Sequence, residues 1–353
     1  MVGYIVFFCL FFAIHYWVKD KKKLLLCIFV VITLFSAIRY GIGYDYYTYL
    51  ECCMPGSYRG EHFEPIPFFF VELSQEYFPF LFFILSSVFI SFFYYLAIRN
   101  EGRDYSLEIL FYICFPFLFF NQLGIVRQAM ASSVVFYALT LNGNYRIVIL
   151  KRLLLIFIAY CCHHSAVVAL LMLIPWQRVP RSFLWLMLIA SFFLGLITTS
   201  FANQIAESGF LDEDSSERAL KYLNSSGQTE GNIIKYLIYI VTIVSLFFYK
   251  KLTEINKRNA YYIGLLVLGA SLFSLFDYNV SIAKRSCMFF FSVSIFIVPQ
   301  VAKTMKISNS LYICICLLLL VANIYVGSFN VRDEDRDGES VTYPYRTYIF
   351  NYL

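Results

Sequence analysis

Charge is what this 353-residue chain has least of. Only 14% of its residues are Asp, Glu, Lys or Arg, whereas 60% are hydrophobic. A soluble domain of this size needs a polar surface that such a composition cannot supply. Its mean hydropathy of +0.68 fits a lipid environment instead. Strict apolar–polar alternation, the mark of an outer-membrane barrel, is missing from its long apolar runs. The net charge of +5 is scattered over short loops, so nucleic acid is not expected as a partner. Met1–Val18 lacks a basic leader and a small-residue cleavage site, and it reads as a first span rather than a signal peptide. No internal repeat is visible, which argues against an inverted-repeat transporter. No disulfide framework is expected: eight of the ten cysteines sit in apolar runs, and Cys52 and Cys53 are adjacent in a loop. Gly41-Ile42-Gly43 lacks the third glycine and the strand of a dinucleotide fingerprint.

What is there is a series of apolar runs, at about 2–18, 22–38, 67–97, 105–123, 126–142, 147–162, 164–176, 182–199, 232–249, 260–276, 286–302 and 308–326. They predict an all-α polytopic integral membrane protein, a single membrane domain over 1–353 with about twelve transmembrane helices in a range of roughly 10–13. The 67–97 run is too long for one straight span. It predicts an interfacial helix over Glu64–Phe78, then a membrane helix from Pro79, a residue suited to a first helical turn. Ser165–Pro175 is short enough to be re-entrant. The loops at 19–23, 99–104, 146–152, 178–181, 250–258 and 303–306 hold 17 of the 28 basic residues. By the positive-inside rule these face the cytoplasm, which puts both termini and the loops 39–66, 200–231 and 327–353 outside. Ala206–Leu223 is a candidate helix lying over the outer mouth.

Five polar clusters fall at outer helix ends: Arg39–Asp45, Glu64, Asn121–Gln128, His163–Ser165 and Asp277–Arg285. Charge at such depth is costly and marks function by default. Arg127 follows Gly124 at a tight joint, where a helix start and a guanidinium together make an oxyanion or phosphate site. An interfacial arginine with its head in water is the plainer alternative. Lys284 and Arg285 open a run and either bind the same anion or flank the membrane; with Arg39 and Arg127 they give a possible set of guanidinium forks for a pyrophosphate. His163 and His164 end a span, as a base for a hydroxyl or as satisfied polar groups. Asp45, Glu64 and Asp277 are outer carboxylates; Asp45 is placed to act as base, orient a histidine or neutralise a nearby arginine. Tyr44, Tyr46, Tyr47 and Tyr49 are placed to stack on sugar rings. Cys161-Cys162-His163-His164 cannot converge on one metal, because consecutive helical residues point ~100° apart. Asp212-Glu213-Asp214 and Asp333-Glu334-Asp335 have a metal-binding spacing but sit in acidic, solvated stretches.

Five words in order carry a family likeness: Arg39…Gly43-x-Asp45…Tyr49; Glu64-Pro65; Val126-Arg127-Gln128-Ala129-Met130-Ala131; His163-x-Ser165-Ala166; and Arg285-x-x-x-Phe289 ahead of Pro299. The pattern resembles the EpsG family within the Wzy-type polysaccharide (O-antigen) polymerases. Tyr44 stands where a small residue is usual. The resemblance implies a glycosyltransferase of the bacterial inner membrane that joins polyprenyl-pyrophosphate-linked repeat units on the outer face, inverting and without cofactor or metal. By matching positions, Arg127, Arg285 and Arg39 would hold the pyrophosphate, and His163 or Asp45 would be the base. Gly43, Tyr49, Glu64, Gln128, Ser165 and Lys284 would complete substrate binding. Its partners would be the lipid-linked oligosaccharide, membrane lipid and a chain-length regulator protein. A flippase for the same substrate and a ligase that moves finished glycan are the alternatives.

Overall fold

A computed structural model describes residues 2–207, 228–277, 279–329 and 345–351. Among the described residues the chain is helical apart from one two-stranded pair, as expected of an all-α polytopic membrane protein. The two acidic D-x-D stretches and most of the proposed helix over Ala206–Leu223 lie outside the described residues. The chain divides into two compact units, 1–170 with 309–353, and 171–308.

The first unit is built around a short, almost wholly buried helix. Helices α1 (Val2–Trp17), α2 (Lys21–Ala37), α3 (Tyr46–Cys52) and α4 (Pro65–Glu76) lead to α5 (Leu81–Glu101), α6 (Tyr105–Cys114) and α7 (Phe119–Gly124). Then come α8 (Val126–Thr140) and α9 (Tyr145–Cys162). Every residue of α8 is buried except Arg127 and Tyr137. Its small residues, Ala129, Ala131, Ser132 and Ser133, let α5 and α9 approach closely on either side. Helices of this kind gain little from hydrophobic transfer in lipid, so close packing holds them.

The ends of these helices are tied by specific caps. At one end Asp20 accepts from the Lys23 amide, Asn144 from the Arg146 amide, and the Asn100 side chain donates to Thr140 O at 2.7 Å. At the other, strand β1 (Arg39–Tyr40) pairs antiparallel with β2 (Arg346–Thr347) of the C-terminal segment. Tyr345 stacks on Phe35 at 4.2 Å and donates its hydroxyl to Phe35 O. A Cβ on Gly3 would collide with the Tyr345 ring. The start of α1, the loop after α2 and the C-terminal segment therefore share one end of this unit.

The 67–97 run is split as expected, into α4 and α5, with Pro79 just before the second helix. The 105–123 run departs from a straight span. It breaks between Cys114 and Phe119, where Pro116 lacks an amide and restricts Phe115 to an extended conformation (ψ 124°). A tight 3₁₀ helix over His164–Leu173 follows α9.

The second unit contains α10 (Arg181–Glu207), α11 (Gln228–Phe247), α12 (Tyr249–Ile255), α13 (Asn259–Leu275), α14 (Val280–Phe291) and α15 (Ser294–Thr304); α16 (Asn309–Phe329) returns to the first unit. Asn259 links its neighbours, donating to Leu252 O at 2.7 Å and to the Gln300 side chain at 2.8 Å. Among the described residues Leu81–Glu101 and Arg181–Thr198 are each long and apolar enough to cross a membrane unbroken. Two further pairs, bent by 71° at Phe248 and by 64° beyond Phe291, qualify only when joined. Among the described residues several of the apolar runs form short, kinked or broken helices.

Candidate functional site

One end of the first unit gathers polar side chains from four separate segments. Pro65 opens α4 without needing an amide partner. Glu64 before it is the N-cap residue, yet its carboxylate does not cap that helix. It turns away instead. Oε2 meets Arg127 Nη1 at 2.8 Å, and Oε1 accepts the His164 amide at 3.2 Å. Glu64 is 5% exposed, so this is a buried ion pair backed by a backbone hydrogen bond.

Arg127 is held from three sides. Glu64 takes one arm, the Tyr49 hydroxyl accepts from the guanidinium, and the Phe63 ring lies 4.2 Å beneath its plane. Its buried Nε has no partner among the described residues. A positively charged fork is therefore fixed at the N-terminus of α8, the end of a helix that favours an anion, and the Arg127 backbone amide also bonds to Tyr49. Burial, then the nearby Asp45 charge, push the Tyr49 phenol up to about 12, against the opposing pull of Arg127. Tyr49 stays neutral at physiological pH and orients Arg127 without cancelling its charge.

Burial raises the affinity of the Glu64 carboxyl for a proton, but amide hydrogen bonds and the charge of Arg127 outweigh it. The net shift is downward from the ordinary carboxylate value. A depressed carboxyl stabilises the fold above its unfolded pKa and loses that contribution as the pH falls through the lowered one. The pair therefore persists unchanged through neutral pH.

α9 ends at His163, whose extended backbone (φ −163°, ψ 125°) turns the chain. Ser165 then folds back, its amide 3.2 Å and its hydroxyl 2.8 Å from His163 Nδ1. An amide can only donate, so Nδ1 accepts and the neutral ring carries its hydrogen on Nε2. His164 is exposed and lies against Tyr160 at 4.8 Å. Its backbone, more than its ring, belongs to the cluster, since the Nδ1–Glu64 separation is 3.8 Å.

The stretch 39–45 acts as the platform under this cluster. Gly43 has φ +109°, and a Cβ there would collide with the Leu123 carbonyl at the α7–α8 joint. Gly124 in turn sits against Tyr44. The loop and the joint that aims Arg127 are thus packed backbone to backbone.

Several expected substrate contacts are not at the surface. Arg39 is 2% exposed and bonded to carbonyls of its own loop and of Leu123. Gly43 has no room for a ligand. Tyr46 and Tyr49 are buried, stacked on Phe83 at 4.4 Å and Phe82 at 5.2 Å, so sugar stacking is left to Tyr44 and Tyr47. Gln128 points into the bundle, 2% exposed. Asp45 is half-buried ahead of α3. Lys284 and Arg285 lie in the second unit on α14, the first half-buried and the second exposed.

Two pairings were not foreseen. The Glu64–Arg127 contact joins residues 63 apart, which no local pattern announces. The second unit holds Lys235 against Asp277 at 2.6 Å, with Lys235 also over Phe192. A single lysine inside the 232–249 apolar run was the signal for it.

The model of the EpsG family matches residues 22–347, nearly the whole chain. No curated protein and no solved structure matches it.

Proposed function

The chain belongs to the EpsG family, and from that membership we propose that it is a polysaccharide polymerase that lengthens a lipid-linked glycan on the outer face of the bacterial cell membrane. The donor is the growing glycan on polyprenyl pyrophosphate, and the acceptor is a hydroxyl of the next lipid-linked repeat unit. The acceptor oxygen bonds to the anomeric carbon from the side opposite the pyrophosphate, whose C–O bond breaks, so the configuration inverts. The observation that carries this reading is the partly committed Arg127 fork at a helix N-terminus, held by Glu64, Tyr49 and Phe63.

In this reading Arg127 stabilises the leaving pyrophosphate. A preorganised cation costs no rearrangement as charge develops. Glu64 is a positioning residue, because both of its oxygens are already engaged, by Arg127 and by the His164 amide. Arg39 and Gly43 support the loop rather than touch substrate. The tautomer that Ser165 selects favours His163 as a donor, from Nε2 to the departing phosphate oxygen. Asp45 then takes the proton of the acceptor hydroxyl. A donor role has a distinct signature. His163→Gln, which keeps an N–H, is expected to retain more elongation than His163→Ala, and His164→Ala is expected to be mild. Equal loss in His163→Gln and His163→Ala would return the base role to His163.

The function is tested by deleting the gene and resolving the surface polysaccharide on a gel. Loss of a polymerase leaves single repeat units attached to the acceptor core and no longer chains. Loss of a flippase or of a ligase leaves none attached, and that pattern would overturn the proposal. The chain-length regulator is proposed as a partner on the same outer face.

A further inference from the structure

We propose that the small cavity beside Arg39 is a binding site for one monovalent anion, chloride under ordinary conditions, which neutralises that buried guanidinium. The proposal stands independently of the glycan chemistry.

Arg39 stays protonated under any ordinary condition. It gives Nε to Ile42 O at 3.3 Å, Nη2 to Leu123 O at 3.4 Å, and Nη1 to Ser36 O and to Ser87 Oγ at 3.5 Å. Its flat face lies 5.1 Å from the Phe83 ring. All of these partners are neutral. Among the described residues no carboxylate lies within ion-pair distance of it, in contrast to Arg127 with Glu64 and Lys235 with Asp277. An isolated charge held inside apolar packing is costly, and a counter-ion removes that cost.

A cavity of about 20 Å³ adjoins the guanidinium. That is room for one particle the size of a water or a halide. Its walls include Ser87, Ser91 and Gln122, which leave donors for a bound particle. The Ser36 and Ser86 hydroxyls already donate to backbone carbonyls. Gln122 takes the Tyr112 hydroxyl on Oε1 and gives one Nε2 hydrogen to Tyr94. What remains is one hydrogen on Arg39 Nη2, the hydroxyl hydrogens of Ser87 and Ser91, and the second Nε2 hydrogen of Gln122. A water would use these donors and give its own hydrogens to the serine oxygens, but it carries no charge. A halide brings no hydrogens, and it supplies the missing negative charge. Since Arg39 also bonds the Leu123 carbonyl, the anion would firm up the joint that carries Arg127.

The test is a thermal-unfolding series on the purified full-length protein at fixed ionic strength, with chloride replacing gluconate, which is too large for the cavity. The midpoint is expected to rise saturably with chloride, and bromide is expected to substitute. Ser87→Ala combined with Ser91→Ala removes two donors without adding bulk or charge. It is expected to lower the gluconate midpoint, because Ser87 also accepts from Arg39 Nη1, and to raise the chloride concentration needed by at least about tenfold. Identical midpoints in chloride and gluconate for the unaltered protein would mean that the cavity holds water only. An unchanged chloride response in the double variant would place the anion elsewhere. Either result overturns the proposal.

Discussion

Arg127→Lys is expected to abolish long-chain polysaccharide while the protein still accumulates in the membrane. Lysine keeps the positive charge, so the Glu64 carboxylate is not left buried and alone, and the fold retains its ion pair. It loses the planar fork. The guanidinium serves Glu64 with one arm and Tyr49 as well, while its face lies on Phe63. A single ammonium cannot do all of this in fixed directions. Removing one preorganised donor to a developing oxyanion costs about 10²–10³-fold in rate, and elongation is expected to fall by at least that. The measurement is the glycan ladder from cells expressing equal amounts of each protein. A normal ladder in the variant would show that the fork does no chemical work.

Gly43→Ala is expected to prevent correct folding, and here the comparison with Gly56→Ala matters more than the single result. Both glycines have positive φ, +109° and +78°. Placing an L-residue in such a conformation costs about 1–2 kcal/mol. Gly56 faces open space, so its substitution adds little beyond that strain. At Gly43 the added Cβ would also meet the Leu123 carbonyl group, with the carbon only 2.8 Å away, and backbone cannot rotate aside as a side chain can. The loop would have to lift from the α7–α8 joint. Folded protein recovered by size-exclusion chromatography is expected to drop sharply for Gly43→Ala and to be nearly normal for Gly56→Ala. Equal recovery would mean that the loop does not need its backbone contact with the joint.

How much of this was legible beforehand differed by residue. The membrane class followed from scarce charge, because lipid exposure imposes a composition on nearly every position. The division at Pro79 and the joint at Gly124 were also visible, since proline and glycine act locally. The break at Pro116 had an equally local signal, hidden by the apolar residues around it. Glu64 and Arg127 were both singled out, but their pairing depends on α4 and α8 meeting in space, which sequence spacing does not encode. Arg39 was read as one of the guanidinium groups for a pyrophosphate, and only the packed loop shows it turned inward onto carbonyls. Lys235 stood alone in an apolar run, and a lone charge there implies a partner; Asp277 is that partner. His163 and Ser165 were read as a motif, whereas the direction of their hydrogen bond, and so the role of the ring, required coordinates.

The most direct measurement is elongation by the purified protein in lipid, supplied only with the polyprenyl-pyrophosphate-linked repeat unit. The account predicts glycans of two or more units on a single lipid, with one polyprenyl pyrophosphate released per linkage formed, and neither product with the Arg127→Lys protein. Products that stay one unit long, or equal elongation by the Arg127→Lys protein, would contradict it.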